Sequence, residues 1–564
     1  MFLRVSVRDR KIQIRGVVPL SNVKNTDRSL TMDRGKTGAS GTPKSSFWRP
    51  LRVSVFRNLL VANLVSDIGT FMQSVGAAWM MVSFGVGPGH VALTQTASSL
   101  PFFLLAPLAG SVGDIVDRRK LVLFTESWMI LAALALVLIT IGGVMTPWIL
   151  LTLTFALSAG DAFEAPSWRA ILPELVSKED IAAASALNGI EFNLARAVGP
   201  ALAGILIAAA GVAVAFIANA VSFIGVLAVI ALWKRPVQIR SAPSEKLWGA
   251  TIAGIRYLRY SPQIKAVMLR QGVSMFFASA LLALLPSVSH SLSKSAAAYG
   301  LLLGTFGGGA VIGALLISPL RSRWPVEGVV SGSVVAVGAT MIAIGTLHSL
   351  VALAGVMLIT GAAWICFVSL VSALIQTITP DWVRARVLAM FLLVFQGSVA
   401  AGSAFWGAIG QRSGVPTALH WAGFGALASV VLALRFKLPN APPDLSPWVH
   451  WRDPAVAREV ISSPDEGPVL VMIAYSVQPE RKEEFERLIE RYSRVRRRDG
   501  ASRWEIFRDV ESVHSYLEVF LVASWAEHLR QHQRQTRADE ELENNVRECV
   551  RGDPEVRHLL YASS

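Results

Sequence analysis

The chain has 564 residues, 53% of them hydrophobic and only 16% charged, with 53 Lys and Arg against 39 Asp and Glu for a formal net charge of +14. Soluble globular proteins carry about 25% charged residues, so a soluble main body is excluded. The basic excess gathers in short loops and in the two tails, which argues against a nucleic-acid partner.

Residues 1–47 read as a disordered basic tail rich in Ser, Thr, Gly, Lys and Arg. Arg4, Arg8, Asp9, Arg10, Lys11 and Arg15 interrupt the start of the chain, which lacks the continuous apolar core of a cleavable signal. Met32 opens a more ordinary N-terminus, so residues 1–31 are a candidate for an untranslated extension.

Twelve apolar runs follow, at 57–84, 92–113, 120–142, 147–165, 185–209, 212–233, 265–289, 297–319, 328–347, 349–372, 386–410 and 415–435. Each approaches the ~20 residues that cross a hydrocarbon core of about 30 Å. Alternate loops differ in charge. One set (85–91, 143–146, 210–211 and 348) holds no Lys or Arg, and two further loops of that set hold only Lys294 and Arg412. The other set carries Arg118, Arg119 and Lys120; Arg169 and Lys178; Lys234, Arg235, Arg240, Lys246, Arg256 and Arg259; Arg321 and Arg323; and Arg384 and Arg386. Positive charge marks the cytoplasmic side, so a multi-pass protein of the cell inner membrane with both termini in the cytoplasm is expected.

The fold class expected is therefore an all-α membrane protein of twelve transmembrane helices, followed by an α+β ferredoxin-like domain. Its parts are an N-terminal six-helix bundle (48–233), a cytoplasmic central loop (234–264), a C-terminal six-helix bundle (265–437), a Pro-, Asp- and Ser-rich linker (438–466) and a cytoplasmic domain (467–564). The two bundles echo each other. Gly110 and Arg118 between runs two and three recur as Gly313 and Arg321 between runs eight and nine, with Ile317 where the first has Asp114. Pro173-Glu174-Leu175-Val176 recurs as Pro380-Asp381-Trp382-Val383. A duplicated unit of this kind holds its substrate near mid-membrane between the halves.

The stretch from Gly110 through Asp114, Asp117, Arg118 and Arg119 to Lys120 resembles the signature loop of the major facilitator superfamily. That resemblance implies a gating network of ionic and helix-end contacts, although Ile115 stands where the familiar pattern has Arg. Ala162-Phe163-Glu164-Ala165-Pro166, Leu172 to Val176, Ala186-Leu187-Asn188 and Gln376 to Val387 are similar to the enterobactin-exporter-like, or transmembrane secretion effector, branch. The resemblance covers about residues 50–440 and implies export of a drug- or siderophore-like compound. Gly199-Pro200 to Gly204 resembles the antiporter motif of drug/proton exchangers, or is an ordinary kinked and tightly packed helix. The basic residue expected midway along the fourth helix is missing from 147–165.

Ionisable residues inside apolar runs are functional candidates by default. Asp67 and Glu191 are the candidates for proton coupling, each with a structural alternative: an acid bonded to a neighbouring helix, or a counter-charge to Arg196. Asp161 and Glu164 are expected to pair with Arg118 or Arg119 in the gate, with Glu126 in the same network. Arg270 is a candidate for an anionic substrate, or snorkels to the interface. Trp79, Phe276 and Trp364 are candidate cavity walls among aromatics that equally serve packing.

Past Lys437 the order β (469–477), α (479–498), β (503–510), β (515–523), α (525–550), β (555–561) is a ferredoxin-like unit. It resembles the dimeric α+β barrel family that includes antibiotic-biosynthesis monooxygenases, with Trp525 to His532 matching the usual helix start. His528 and His532 share a helix face without a third ligand in sequence reach, so no metal is expected. Arg494, Arg496, Arg497 and Arg498 favour a helix C-terminus and are placed to touch anionic headgroups. Cys366 and Cys549 read as inert thiols.

The leading function is secondary export of a small amphipathic molecule by proton antiport, with no enzyme activity and no cofactor. Alternatives are a monooxygenase-like or ligand-sensing C-terminal domain, or a lipid or solute importer of the same fold. No Walker A pattern supports ATP-driven pumping. The partners expected are the lipid bilayer, the small-molecule substrate, protons and, through the C-terminal domain, a second copy of the chain.

Overall fold

The structure, a computed structural model, describes residues 47–233, 247–441, 443–448 and 466–561. The basic tail up to residue 46 and the loop charges Lys234, Arg235, Arg240 and Lys246 fall outside them.

Apolar runs in lipid must satisfy every backbone group internally, and helices do so segment by segment. The helices are α1 Ser54–Ser83, α2 Pro88–Ile115, α3 Arg118–Ile141, α4 Pro147–Leu175, α5 Ile181–Ala210, α6 Ala213–Leu232, α7 Leu247–Tyr260, α8 Pro262–Leu292, α9 Ala296–Arg323, α10 Val326–Thr346, α11 Leu350–Thr377, α12 Asp381–Ser413, α13 Val415–Ser429 and α14 Leu432–Arg435. Among the described residues ten segments are long and apolar enough to cross a membrane, α13 and α14 counting as one. α1 and α2, at 30 and 28 residues, pack among them, α1 against α5 and α6 and α2 against α4 and α12. Helix starts follow local chemistry. Proline opens α2, α4, α8 and α13, where its missing N–H costs nothing. Side chains of Asp117, Thr146, Ser295 and Ser349 accept the first free N–H groups of α3, α4, α9 and α11.

Two elements differ from the sequence expectation in this region. α4 continues ten residues past the apolar run that ended at 165, to Leu175, and its far end meets Arg118 through Glu174. The stretch expected to be a central loop contains α7, whose apolar face buries Ala253 and Tyr257.

The ends of the helices that carry Arg118, Arg119, Arg321 and Arg384 will be called the basic end. The two halves of the helical region approach each other closely at the opposite end. A Cβ on Gly204 of α5 would lie 2.8 Å from Cα of Gly300 on α9, and one on Gly407 of α12 only 2.4 Å from Cβ of Ala92 on α2. Only residues without side chains permit this contact. Next to it the Gly89 N–H donates to Oε1 of Gln411 at 3.2 Å, and the Thr96 hydroxyl to the Ala400 carbonyl at 3.1 Å.

The C-terminal domain comprises β1 Val469–Ser476, α15 Lys482–Asp499, β2 Arg503–Arg508, β3 Ser515–Val522, α16 Trp525–Gln533, α17 Arg537–Arg547 and β4 Glu555–Leu560. Its sheet has the order β2-β3-β1-β4 with antiparallel neighbours, Val471 lying opposite both Phe520 and His558. Alternation along β1 buries Val469, Val471, Ile473 and Tyr475 against Phe485, Ile489 and Tyr492 of α15. The single helix expected over 525–550 is broken at Arg534–Thr536, because Thr536 and Asp539 form a capping box that starts α17. Part of the expected linker is also ordered onto this domain. Arg537 N–H donates to the Ser446 carbonyl and Trp448 N–H to that of Gln535, both at 3.1 Å.

The domain docks on α7 and on the start of α12. Glu527 of α16 accepts from Arg256 of α7 at 3.0 Å and from Arg534 at 2.6 Å. The Arg534 guanidinium lies 4.6 Å from the ring centre of Trp382, which meets Tyr257 edge-on at 5.6 Å. Arg498 covers the other side of Tyr257 at 5.5 Å.

Candidate functional site

Away from the ends of the helices of the first half stand Asp67 on α1, Glu126 on α3, Asp161 and Glu164 on α4, and Glu191 on α5. Asp161 and Glu164 are three positions apart, which puts both on one face of α4. The carboxyl of Asp67 neighbours that of Glu191, and the carboxyl of Glu126 neighbours that of Glu164. Asp161 is an electrostatic neighbour of both Asp67 and Glu126. Glu164 also accepts from the Thr125 hydroxyl at 2.7 Å. One oxygen each of Glu126 and Glu191 is buried with no hydrogen-bond partner among the described residues. Two neighbouring carboxyls disfavour a second negative charge in an apolar setting, which makes each pair a candidate place for a proton.

The structure therefore brings Asp67 and Glu191 together, and it separates the other acids from the bases assigned to them. Arg118 pairs with Glu174 at 2.7 Å, and Arg119 donates to the carbonyls of Ile230 and Ala231, at 3.0 and 2.6 Å, at the end of α6. The reason is the length of α4. Glu174 is ten positions along the helix from Glu164, about 15 Å of rise, so Glu174 stands at the level of Arg118 while Glu164 sits deeper in the apolar zone. Glu126 joins Glu164 rather than a basic gate. Asp117 caps α3 by accepting from the Lys120 N–H at 3.1 Å. Gly110 and Asp114 lie on the last turns of α2; their side chains are outside the described part.

Arg196 lies 5.9 Å from the ring centre of Phe306 on α9, facing the other half, and Glu191 is engaged by Asp67 instead. Arg270, 5% exposed, is held by Glu327 at 2.5 Å and Ser331 at 3.0 Å. It offers no unneutralised charge to a substrate, because α10 supplies its counter-ion in its first turn, at the basic end. Gly199 packs on α1, where an added Cβ would meet Cβ of Phe71 at 2.7 Å, and Pro200 lends its carbonyl surface to the Gly300 contact. The segment Gly199–Gly204 thus touches both α1 and α9.

The aromatic candidates are mutually packed. Trp79 stacks on Tyr299 at 6.5 Å across the two halves, and Phe276 joins Phe277, Phe405 and Trp406. Trp364 meets Phe306 edge-on at 5.9 Å and borders a cavity of only about 10 Å³, the size of a water site. Sequence reading missed Glu174, Glu327 and Asn219. A buried Arg270 signals that an acid must exist nearby, and Glu327 is the acid in the first turn of α10. Asn219 donates to Gln73 and accepts from Thr70 at 3.3 Å, which ties Gln73 to α6 rather than to Asp67.

In the C-terminal domain His528 is 1% exposed, with its Nε2 3.1 Å from Nε2 of His532 and its ring 4.8 Å from that of His558. Burial, reinforced by the two neighbouring imidazoles, pushes the His528 pKa down to about 3. Sheet pairing of β4 with β1 delivers His558, a neighbour that helix spacing alone does not show. Among the described residues no group of three His, Cys, Asp or Glu is arranged to hold a metal ion. Glu518, fully buried, accepts from Tyr475 and Trp504, each at 2.7 Å, and pairs with Arg496 at 3.4 Å. A buried charge so completely bonded serves the packing of the domain.

Comparison with known proteins places these features. Relatives include the "Enterobactin exporter EntS" of Salmonella typhimurium LT2, 27% identical over 389 residues that span 67% of this chain and 91% of that protein. The exporter of the same name from Citrobacter koseri is 26% identical over 411 residues, 70% of this chain and 95% of the relative. Among solved structures, the fold is similar to a bacterial homologue of ferroportin in an inward-facing state (TM-score 0.54, 16% identity, 68% of this chain and 98% of that one). It is equally similar to the nucleoside transporter NupG (TM-score 0.56, 15% identity, 68% and 100%). The family described as "Transmembrane secretion effector" matches residues 45–564, well past the 50–440 of the motif resemblance and through the C-terminal sheet. The chain belongs to that family and is a multi-pass membrane transporter of the major facilitator type.

Proposed function

We propose that the chain exports a small amphipathic molecule, drug- or siderophore-like, in exchange for protons. The observation that carries this reading is the placing of carboxyls side by side inside apolar helices, Asp67 with Glu191 and Glu126 with Glu164. Charge within hydrocarbon is expensive and is kept for function, and two carboxyls that share a proton are able to release it when a substrate or a helix movement separates them. The relatives named as enterobactin exporters support export as the direction.

In this reading α1 and α2 complete twelve crossings arranged as two six-helix bundles in the inner membrane. The basic end is cytoplasmic, by the loop charges, and so are both termini and the C-terminal domain. The close glycine contacts then lie at the periplasmic end, which makes this an inward-open arrangement, ready to load from the cytoplasm. Trp79, Phe276 and other aromatics offer apolar surface to the solute, and Gly199–Gly204 forms part of the seam that must part on outward opening. Small molecules in spent medium from a deletion strain and its parent test the direction. The parent is expected to release a compound that the deletion strain retains, and identical media would contradict export.

A further inference from the structure

At the basic end a cavity of about 710 Å³ opens where α7, the first turn of α8, the chain leaving α14 and the second half of α15 converge. Six cations line it: Arg259, Lys265, Arg435, Lys437, Arg494 and Arg497; no carboxylate does. Four come from the helical region and two from the C-terminal domain, so the cavity sits in the seam between them. Arg494 and Arg497 are three apart on α15 and share a face. Among the described residues no ion pair neutralises any of the six. Arg259, Arg435 and Arg497 instead lie over the rings of Tyr260, Phe436 and Trp504, at 5.8, 5.7 and 5.4 Å. Such stacking steadies a guanidinium and leaves its charge unspent.

Like charges brought from two sides into one cleft repel, and the repulsion opposes docking of the domain. An anion in the cleft reverses the sign. The rim indicates which kind. The last crossing ends at Arg435 and α8 begins at Pro262, so the cavity lies at the membrane boundary. Leu434 and Val431, 77% and 65% exposed, continue from it as apolar surface towards the hydrocarbon. The Leu438 N–H donates to Oε2 of Glu327 at 2.9 Å and so fixes the chain that carries Lys437. Glu327 itself is held by Arg270.

We propose that this cavity binds a phosphate-ester anion, the headgroup of an anionic phospholipid with its acyl chains along Leu434 and Val431, and that the bound anion fastens the C-terminal domain to the helices. The proposal rests on the orientation given above only in assigning the lipid to the cytoplasmic leaflet. It is independent of substrate and proton coupling, so transport assays and this test fail separately.

The test uses the full chain in phosphatidylcholine nanodiscs with and without phosphatidylglycerol. Retained lipid is read by native mass spectrometry, and the melting temperature is measured in parallel. A second arm adds inorganic pyrophosphate to the phosphatidylcholine discs. Phosphatidylglycerol is expected to be retained and to raise the melting temperature. The double variant R494Q/R497Q is expected to weaken its retention roughly 30-fold, at about fivefold per cation near a membrane surface. R494K/R497K, which keeps the charges, stays within a few-fold of the parent chain. K265Q/K437Q on the opposite wall repeats the loss should the first variant not fold. A response to pyrophosphate that the neutral variants abolish supports the cavity and assigns the anion to a soluble phosphate ester. No response to either anion, or retention unchanged in both neutral variants, overturns the proposal.

Discussion

Glu164 shows how a residue's role turns on its depth rather than on its neighbours in sequence. Set beside Pro166 and a basic loop, it reads as a gate acid; the continuous α4 places it instead against Thr125 and Glu126. The salt-bridge acid is Glu174, one helical stretch nearer the boundary. His528 is the corresponding case outside the membrane. Its pKa, lowered to about 3 chiefly by burial, keeps it neutral in the folded domain, while in an unfolded chain it takes up a proton near pH 6.5. Between those values the unfolded state binds more protons, so stability falls as pH falls. The loss from pH 7 to pH 5 is about 2 kcal/mol for this group, and His558, also lowered by burial, acts in the same sense. Carboxyls of the domain add contributions of both signs. Glu527 and Asp539, held low by Arg534 and Arg498, lose their contribution as pH falls below the ordinary carboxylate range, and Asp499, raised by burial, acts in the opposite sense from above that range. Hydrogen exchange of α16 and β4, corrected for intrinsic rates, should quicken from pH 7 to pH 5 in the parent chain and respond far less in His528→Gln. An equal response in both would contradict the assignment.

At the scale of elements, the spans were legible because a hydrocarbon core imposes a length. The apolar runs agree with the helix limits to within a few residues at most ends, and α13 begins at residue 415 as expected. α7 was not legible, because 14 residues with Arg256 and Arg259 carry no span-length signal and gain a helix only by burying Tyr257 against Trp382 and Arg498. The contact of α5 with α9 depends on two glycines facing each other. A leucine at 204 cannot fit, and overpacking of this sort costs about 1–3 kcal/mol, enough to shift a two-state opening by tenfold or more. Spin labels on Ala210→Cys and Lys294→Cys are expected to move apart in Gly204→Leu. An unchanged distance distribution would show that the seam is not held by this contact.

For the whole molecule, loop charge, the repeated half and the motifs near 110–120 and 162–176 pointed to the family that the profile match establishes over residues 45–564. The candidate site was legible in part. Asp67 and Glu191 stand out as acids in apolar runs, but their meeting depends on how α1 packs on α5, with Gly199 admitting Phe71, and no local pattern states that. The C-terminal sheet was readable from period-two alternation, whereas its docking through Glu527 joins residues 271 apart in sequence. The central claim is that Asp67 and Glu191 carry the proton that drives export. The direct measurement is solute uptake into everted vesicles under an imposed pH gradient, acid inside, comparing the parent chain with Asp67→Asn and Glu191→Gln at equal expression. The account predicts gradient-driven uptake by the parent and at least a tenfold loss in each variant, with gradient-independent solute exchange retained. Undiminished gradient-driven uptake in both variants would contradict it.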